Sequence, residues 1–137
     1  MFLTWQVDQP RQNYQLGIFD QRTDLMCGCG GLRMCEADST IAVFGIELTP
    51  EMWGRFGLAM EAAMALIDYG FDILQLERII GSTASGNTRV EKLARWFGAV
   101  MVNSRPGPVW MNARGWHEVD WAIDRATWTS SVNRQRN

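Results

Sequence analysis

The chain has 137 residues, of which 47% are hydrophobic and 20% charged; this composition supports a core and excludes a disordered or low-complexity protein. A formal net charge of −2 lacks the electrostatic footprint of a nucleic-acid or anionic-membrane binder, and no apolar run reaches bilayer-spanning length. One domain over residues 1–137 is expected. The start "MFLTWQVDQPR" has no basic region followed by an apolar run, so no signal peptide and a cytoplasmic location are expected.

Residues 13–19 and 25–33 read as strands around the polar turn "DQRTD", which makes a hairpin the simplest connection. The second strand carries Cys27 and Cys29, with Cys35 just beyond it. Their C-x-C-x5-C spacing does not supply the paired ligands of a structural metal site, and an odd count does not suit a disulfide framework, so buried thiols and no metal are expected. A third strand, 41–48, follows a polar break and completes an antiparallel meander.

The period of the apolar residues then changes. From 58 to 74, Ala59, Ala62, Ala63, Leu66, Ile67, Phe71 and Leu74 recur at spacings of three and four, while Glu61, Asp68 and Asp72 lie opposite, which predicts a long amphipathic helix. Residues 78–84 read as a short strand reached by a βαβ crossover. A second helix is predicted over 87–97, with Asn87 as N-cap, Glu91 and Arg95 paired at i,i+4, and Gly98 ending it. Residues 99–103 form a candidate strand, 105–108 a turn, 109–111 a further extended piece, and 116–124 a last strand of alternating character. The tail 130–137 is expected to fray.

Gly54 and Gly57 stand between the third strand and the long helix. A helix start carries unpaired N–H groups and the positive end of the dipole, and glycine lets an anion approach the backbone closely. No Gly-Lys-Ser/Thr follows, so this is not a P-loop, and a dinucleotide fingerprint would need a third glycine. A tight turn would explain the pair alone.

The order of elements extends the argument. A hairpin, a third strand ending before Pro50, "GRFGLA", a long helix, a short strand and "GNTRVEKLARWFGA" together resemble the GNAT superfamily of N-acetyltransferases over roughly residues 13–128. Within it, "ELTPEMWG" and "LERIIGST" resemble the ribosomal-protein and amino-acid N-acetyltransferase branch. The resemblance implies an α+β fold with a central, mostly antiparallel mixed sheet, a long helix after the third strand and a second after the fourth. It also implies acetyl-CoA as cosubstrate and a primary amine as acceptor. The superfamily's phosphate loop, Q/R-x-x-G-x-G/A, is matched at Gly57 and Ala59. By that analogy Gly54, Arg55, Phe56, Gly57, Leu58 and Ala59 surround the pyrophosphate, Ile46 to Leu48 lie along the pantetheine arm, and Asn87 contacts or orients the cofactor or serves only as a cap.

The chain departs from the pattern in three places. The branch motif W-G-x-G has one additional residue here. Ala94 stands where many members carry an acidic tyrosine, and Val90 where the branch carries a serine. Only a dozen residues precede the first strand, so the family's N-terminal strand and helix pair are expected to be missing and the acceptor side abbreviated, borrowed from a partner subunit or lost; a homodimer is expected. Glu47, on the third strand beside the expected thioester, is the candidate base; a solvent-facing residue or an ion pair is the alternative. His117, on the apolar-alternating face of the last strand, is expected to be packed or partner-bonded, and Glu118 and Asp120 to form a solvated face, with binding of a cationic acceptor as the alternative. Two functions remain: an N-acetyltransferase acting by direct attack in a ternary complex, or a non-catalytic GNAT-fold protein that binds acyl-CoA or a protein partner.

Overall fold

The computed structural model describes residues 13–50 and 56–129. Among the described residues, six strands and three helices give the expected α+β architecture. The chain divides between Leu76 and Glu77 into two compact units. The expectations for the N-terminal dozen residues, for Gly54 and Arg55, and for the tail lie outside the described residues.

The first unit contains β1 (Asn13–Phe19), β2 (Met26–Met34), β3 (Ile41–Leu48) and α1 (Phe56–Asp72). The three strands pair antiparallel in sequence order. Asp24, at φ 59, takes the left-handed conformation that closes the β1–β2 turn, and the Asp20 N–H donates to the Leu25 carbonyl at 3.0 Å. At the turn end of the hairpin Ile18 faces Gly28 and Phe19 faces Met26, leaving Cys27 as the extra residue of a bulge. Cys27 is fully buried, whereas Cys29 and Cys35 are only half-buried, against the expectation for all three thiols. The helical period places Ala63, Leu66, Ile67 and Phe71 in the core and leaves Glu61 and Asp72 exposed. The helix stops at Asp72, short of Leu74, because the Leu76 N–H returns to the Gly70 carbonyl at 3.0 Å and Gln75 turns left-handed at φ 58.

The second unit contains β4 (Arg78–Ala84), α2 (Thr88–Phe97), β5 (Val100–Arg105), α3 (Val109–Ala113) and β6 (Glu118–Asp124). Strand β6 pairs antiparallel with β4 on one side and β5 on the other. Asn87 caps α2 by accepting from the Val90 N–H at 3.2 Å, and Gly98 ends it at φ 88, as the sequence predicts. Glu91 and Arg95 form the expected i,i+4 pair at 3.1 Å. Residues 109–111 are not extended. Pro108 sits at the N-cap with φ −63, a position where its missing N–H costs nothing, and the five-residue helix is too short to show a period.

The last strand also begins later than expected. Val119, Trp121 and Ile123 are buried as the alternation predicts, but His117 precedes the strand and is exposed, not packed. Nor do Glu118 and Asp120 form a solvated face. Arg105 on β5 reaches both, bonding Glu118 at 3.1 Å and Asp120 through a short contact. The register explains it, since Arg105 lies opposite Glu118 and a cation beside two half-buried carboxylates offsets their desolvation.

Candidate functional site

Strand β3 and the start of α1 hold most of the sequence-predicted residues. Ile46, Glu47 and Leu48 are the last three residues of β3, and Phe56, Gly57, Leu58 and Ala59 the first four of α1. The N–H groups at a helix start have no intrahelical acceptor. Among the described residues of this helix, the first turn carries no acidic side chain that would repel an anion.

Gly57 is exposed, and a Cβ built on it would meet nothing within 4 Å. It is also absent from the glycines with positive φ. Leu58 lines a cavity of about 570 Å³ with Leu16, Ala62 and Tyr69, on the side of the sheet that α1 covers.

The pairing register decides which way Glu47 points. Gly30 lies opposite Ile46, and a Cβ on Gly30 would come within 2.7 Å of Leu66 on α1. Directly opposed residues share a face and neighbours alternate, so Glu47, opposite Cys29, faces away from α1. On that open face lies a groove of about 440 Å³, bordered by Gln15, Cys29, Arg33 and Glu47 around Gly31 and Gly45. Glu47 is exposed, and its side chain makes no hydrogen bond or ion pair among the described residues. A Cβ on Gly45 would meet nothing within 4 Å, so the floor of the groove is left open by the sequence and not by crowding.

Gly28 has the opposite character. A Cβ there would lie 2.0 Å from the Glu47 carbonyl oxygen, so only glycine lets β2 and β3 approach where Glu47 and Leu48 are held. The sequence reading missed this residue, and also Arg33 and Gly45, because their placement depends on strand register.

Asn87 belongs to the second unit. Its Oδ1 is occupied by the Val90 N–H, so the capping role is visible. Ala94 and Val90, at the positions where the resembled family places its acids, are half-buried aliphatic residues of α2. Among the described residues no group of three His, Cys, Asp or Glu side chains could hold a metal, and no helix is long and apolar enough to cross a membrane.

A carboxylate with a lowered pKa lies in the second unit. Hydrogen bonding from Arg105 holds the Asp120 carboxyl below its usual range, aided by the Ser82 hydroxyl at 2.6 Å and the Asn103 amide at 3.3 Å, against some desolvation. The same contact raises the Arg105 guanidinium above its ordinary value. This cluster ties β4, β6 and β5 together at one level.

These elements and their order define an acetyltransferase fold. The chain belongs to the GNAT acetyltransferase family, whose domain model matches residues 1–100. A curated relative from Bacillus licheniformis, an uncharacterized N-acetyltransferase p20, is 37% identical over 82 residues, 60% of this chain and 46% of the relative. The matched segment thus spans about half of that protein. Among solved structures, spermidine N-acetyltransferase from Vibrio cholerae in complex with CoA and spermine is similar with a TM-score of 0.76 at 22% identity, over 88% of this chain and 70% of that one. A dodecameric structure of the same enzyme in an intermediate state gives 0.76 and 22% over 88% and 69%. At this identity the likeness establishes the fold.

Proposed function

We propose that the protein is an acetyl-CoA-dependent N-acetyltransferase in which a primary amine attacks the thioester directly in a ternary complex. Gly57 is the observation that carries this reading. A glycine in a helix costs up to about 1 kcal/mol relative to alanine. Neither a left-handed φ nor a crowded Cβ requires one here, so the fold alone gives no reason for it. A ligand that must reach the backbone does.

The described residues fit such a ligand: an open helix start without acids, preceded by a strand end. Acetyl-CoA supplies an activated acetyl group as a thioester. Backbone N–H groups at the start of α1, from Phe56 to Ala59, would hold the pyrophosphate, with Gly54 and Arg55 extending the cradle. The edges of Ile46 and Leu48 would hold the pantetheine arm. Glu47, exposed and without a side-chain partner among the described residues, would accept the proton that the amine loses. Ala94 and Val90 offer no acid, so the departing thiolate would take its proton from water. Positioning carries the larger share, since effective molarities reach roughly 10⁵–10⁸ M whereas acid–base help contributes about 10²–10⁴-fold.

The open groove beside Glu47, which Arg33 also borders, is the acceptor side of this reading. Polyamines come first, because a relative of the same fold was solved with spermine; amino acids and protein N-termini, the acceptors of the ribosomal-protein and amino-acid branch, come second. A cytoplasmic location belongs to this reading, because acetyl-CoA must be supplied. So does a homodimer, supported by Val100, Met101 and Val102, which are each at least 50% exposed on β5; a monomeric mass at working concentration would contradict it.

Ala94 and Val90 favour one alternative, a GNAT-fold protein that binds acyl-CoA or a protein partner without turnover. Calorimetric titration with acetyl-CoA, against desulfo-CoA, followed by thiol release on amine panels, separates the readings. Micromolar binding, about −8 kcal/mol, with amine-dependent thiol release is expected. Absence of binding overturns the proposal, and binding without release selects the alternative.

A further inference from the structure

The second unit has a cavity of its own, of about 180 Å³, bordered by Thr83, Glu91, Arg95, Met101, His117 and Trp121. Met101 and Trp121 are paired across β5 and β6 and present one surface; Glu91 and Arg95, one turn apart on α2, present another. The Arg95 guanidinium carbon lies over the Trp121 ring, 5.2 Å from its centroid. Its Nε and Nη2 each approach Glu91 Oε1 at 3.1 Å, which leaves the Nη1 donors without a hydrogen-bond partner among the described residues. His117 is carried on backbone fixed at both polar groups by Ser85: its N–H donates to the Ser85 hydroxyl at 2.9 Å, and its carbonyl accepts from the Ser85 N–H at 2.7 Å.

Trp121 is only 7% exposed, and its indole N–H has no hydrogen-bond partner among the described residues. An indole nitrogen can only donate, and buried donors are nearly always paired. The cavity therefore offers donors in excess. Trp121, Arg95 and the Thr83 hydroxyl face a single carboxylate, Glu91, which Arg95 already engages. Asn87 also borders the cavity, but its Oδ1 is committed to the Val90 N–H.

We infer that this cavity binds a small carboxylate, whose oxygens accept from the Trp121 indole and the Arg95 guanidinium while its alkyl part lies against Met101. A guanidinium matches a carboxylate in geometry as well as charge. The inference does not depend on acetyl-CoA binding, and its test uses the full chain without cofactor.

The seven tryptophans give indole N–H signals in a ¹H–¹⁵N correlation spectrum, with Trp121 identified by Trp121→Phe or by sequential assignment of the unaltered protein. Sodium acetate is the probe, with sodium chloride at equal ionic strength and methylammonium chloride as comparisons. The Trp121 signal should move saturably with acetate alone, and Arg95→Gln should weaken the response by roughly tenfold, the effect of losing one hydrogen bond to a charged group. An unmoved Trp121 signal, an equal response to chloride, a stronger response to methylammonium, or full acetate affinity in Arg95→Gln would each overturn the inference.

Discussion

Two sets of three antiparallel strands, β1 to β3 in the first unit and β4 to β6 in the second, treat their carboxylates in opposite ways. Asp120 accepts from Arg105, Ser82 and Asn103, one donor on β4 and two on β5. Glu47 stands exposed on β3, above a floor whose Gly45 has open space where a side chain would be. Each donor that Asp120 gains lowers the cost of its partial burial and secures strand order. A carboxylate with no partner secures nothing, so its position beside a groove is the stronger pointer to chemistry. The glycines divide similarly: Gly28 is required by the approach of β2 to β3, whereas Gly57 is required by nothing in the fold.

That contrast breaks most readily at Gly57. Gly57→Trp fills open space at the helix start, so the melting temperature should stay within a few degrees while acetyl-CoA affinity falls by at least about 100-fold, the equivalent of one or two hydrogen bonds to a charged group. Parallel calorimetry and thermal unfolding would measure both; unchanged affinity would remove the proposed phosphate site. Glu47→Gln should come next, lowering kcat by roughly 100-fold, the low end of general-base contributions, with acetyl-CoA affinity retained. A steady-state comparison on a responsive amine, extended across pH, would detect it, and an unaltered pH profile would return Glu47 to an ordinary strand residue.

The second unit should respond in stability. Asp120→Ala removes the acceptor of three donors and should cost about 2 kcal/mol, read as a lower urea midpoint at unchanged slope. The pH dependence has a definite sign. Because the hydrogen bond from Arg105 holds the folded pKa of Asp120 below the usual carboxylate range, its stabilisation is fully present above the unfolded carboxylate range and is lost as pH falls through the folded value. Urea midpoints across the acid range should therefore decline less steeply in Asp120→Asn. The smallest effect belongs to Asn87→Ala, which removes the cap of α2 and should cost about 1 kcal/mol. If acetyl-CoA affinity drops as well, Asn87 has a second role; if stability alone changes, it is a cap.

The apolar run in residues 41–48 and the three-to-four spacing from Ala59 to Phe71 matched β3 and most of α1, because both signals arise within one element. Asn87 and Gly98 were legible as caps for the same reason, since a cap acts on the helix it touches. The short helix Val109–Ala113 was not, because one turn contains no period and Pro106, Gly107 and Pro108 resemble an ordinary turn. His117 shares the parity of Val119 and Trp121 yet lies before the strand, and parity carries no meaning outside the ladder.

For function, the sequence alone determined the order of elements and the glycines before the long helix, through which it resembles an acetyltransferase family. Only tertiary structure decided that Glu47 faces away from α1, that Arg105 spans Glu118 and Asp120, and that Trp121 buries an unpaired N–H beside Arg95. The physical reason is distance along the chain. Local periodicity and capping are written into neighbouring residues, whereas facing, pairing and the satisfaction of a buried donor depend on strands whose register is settled between residues far apart in sequence.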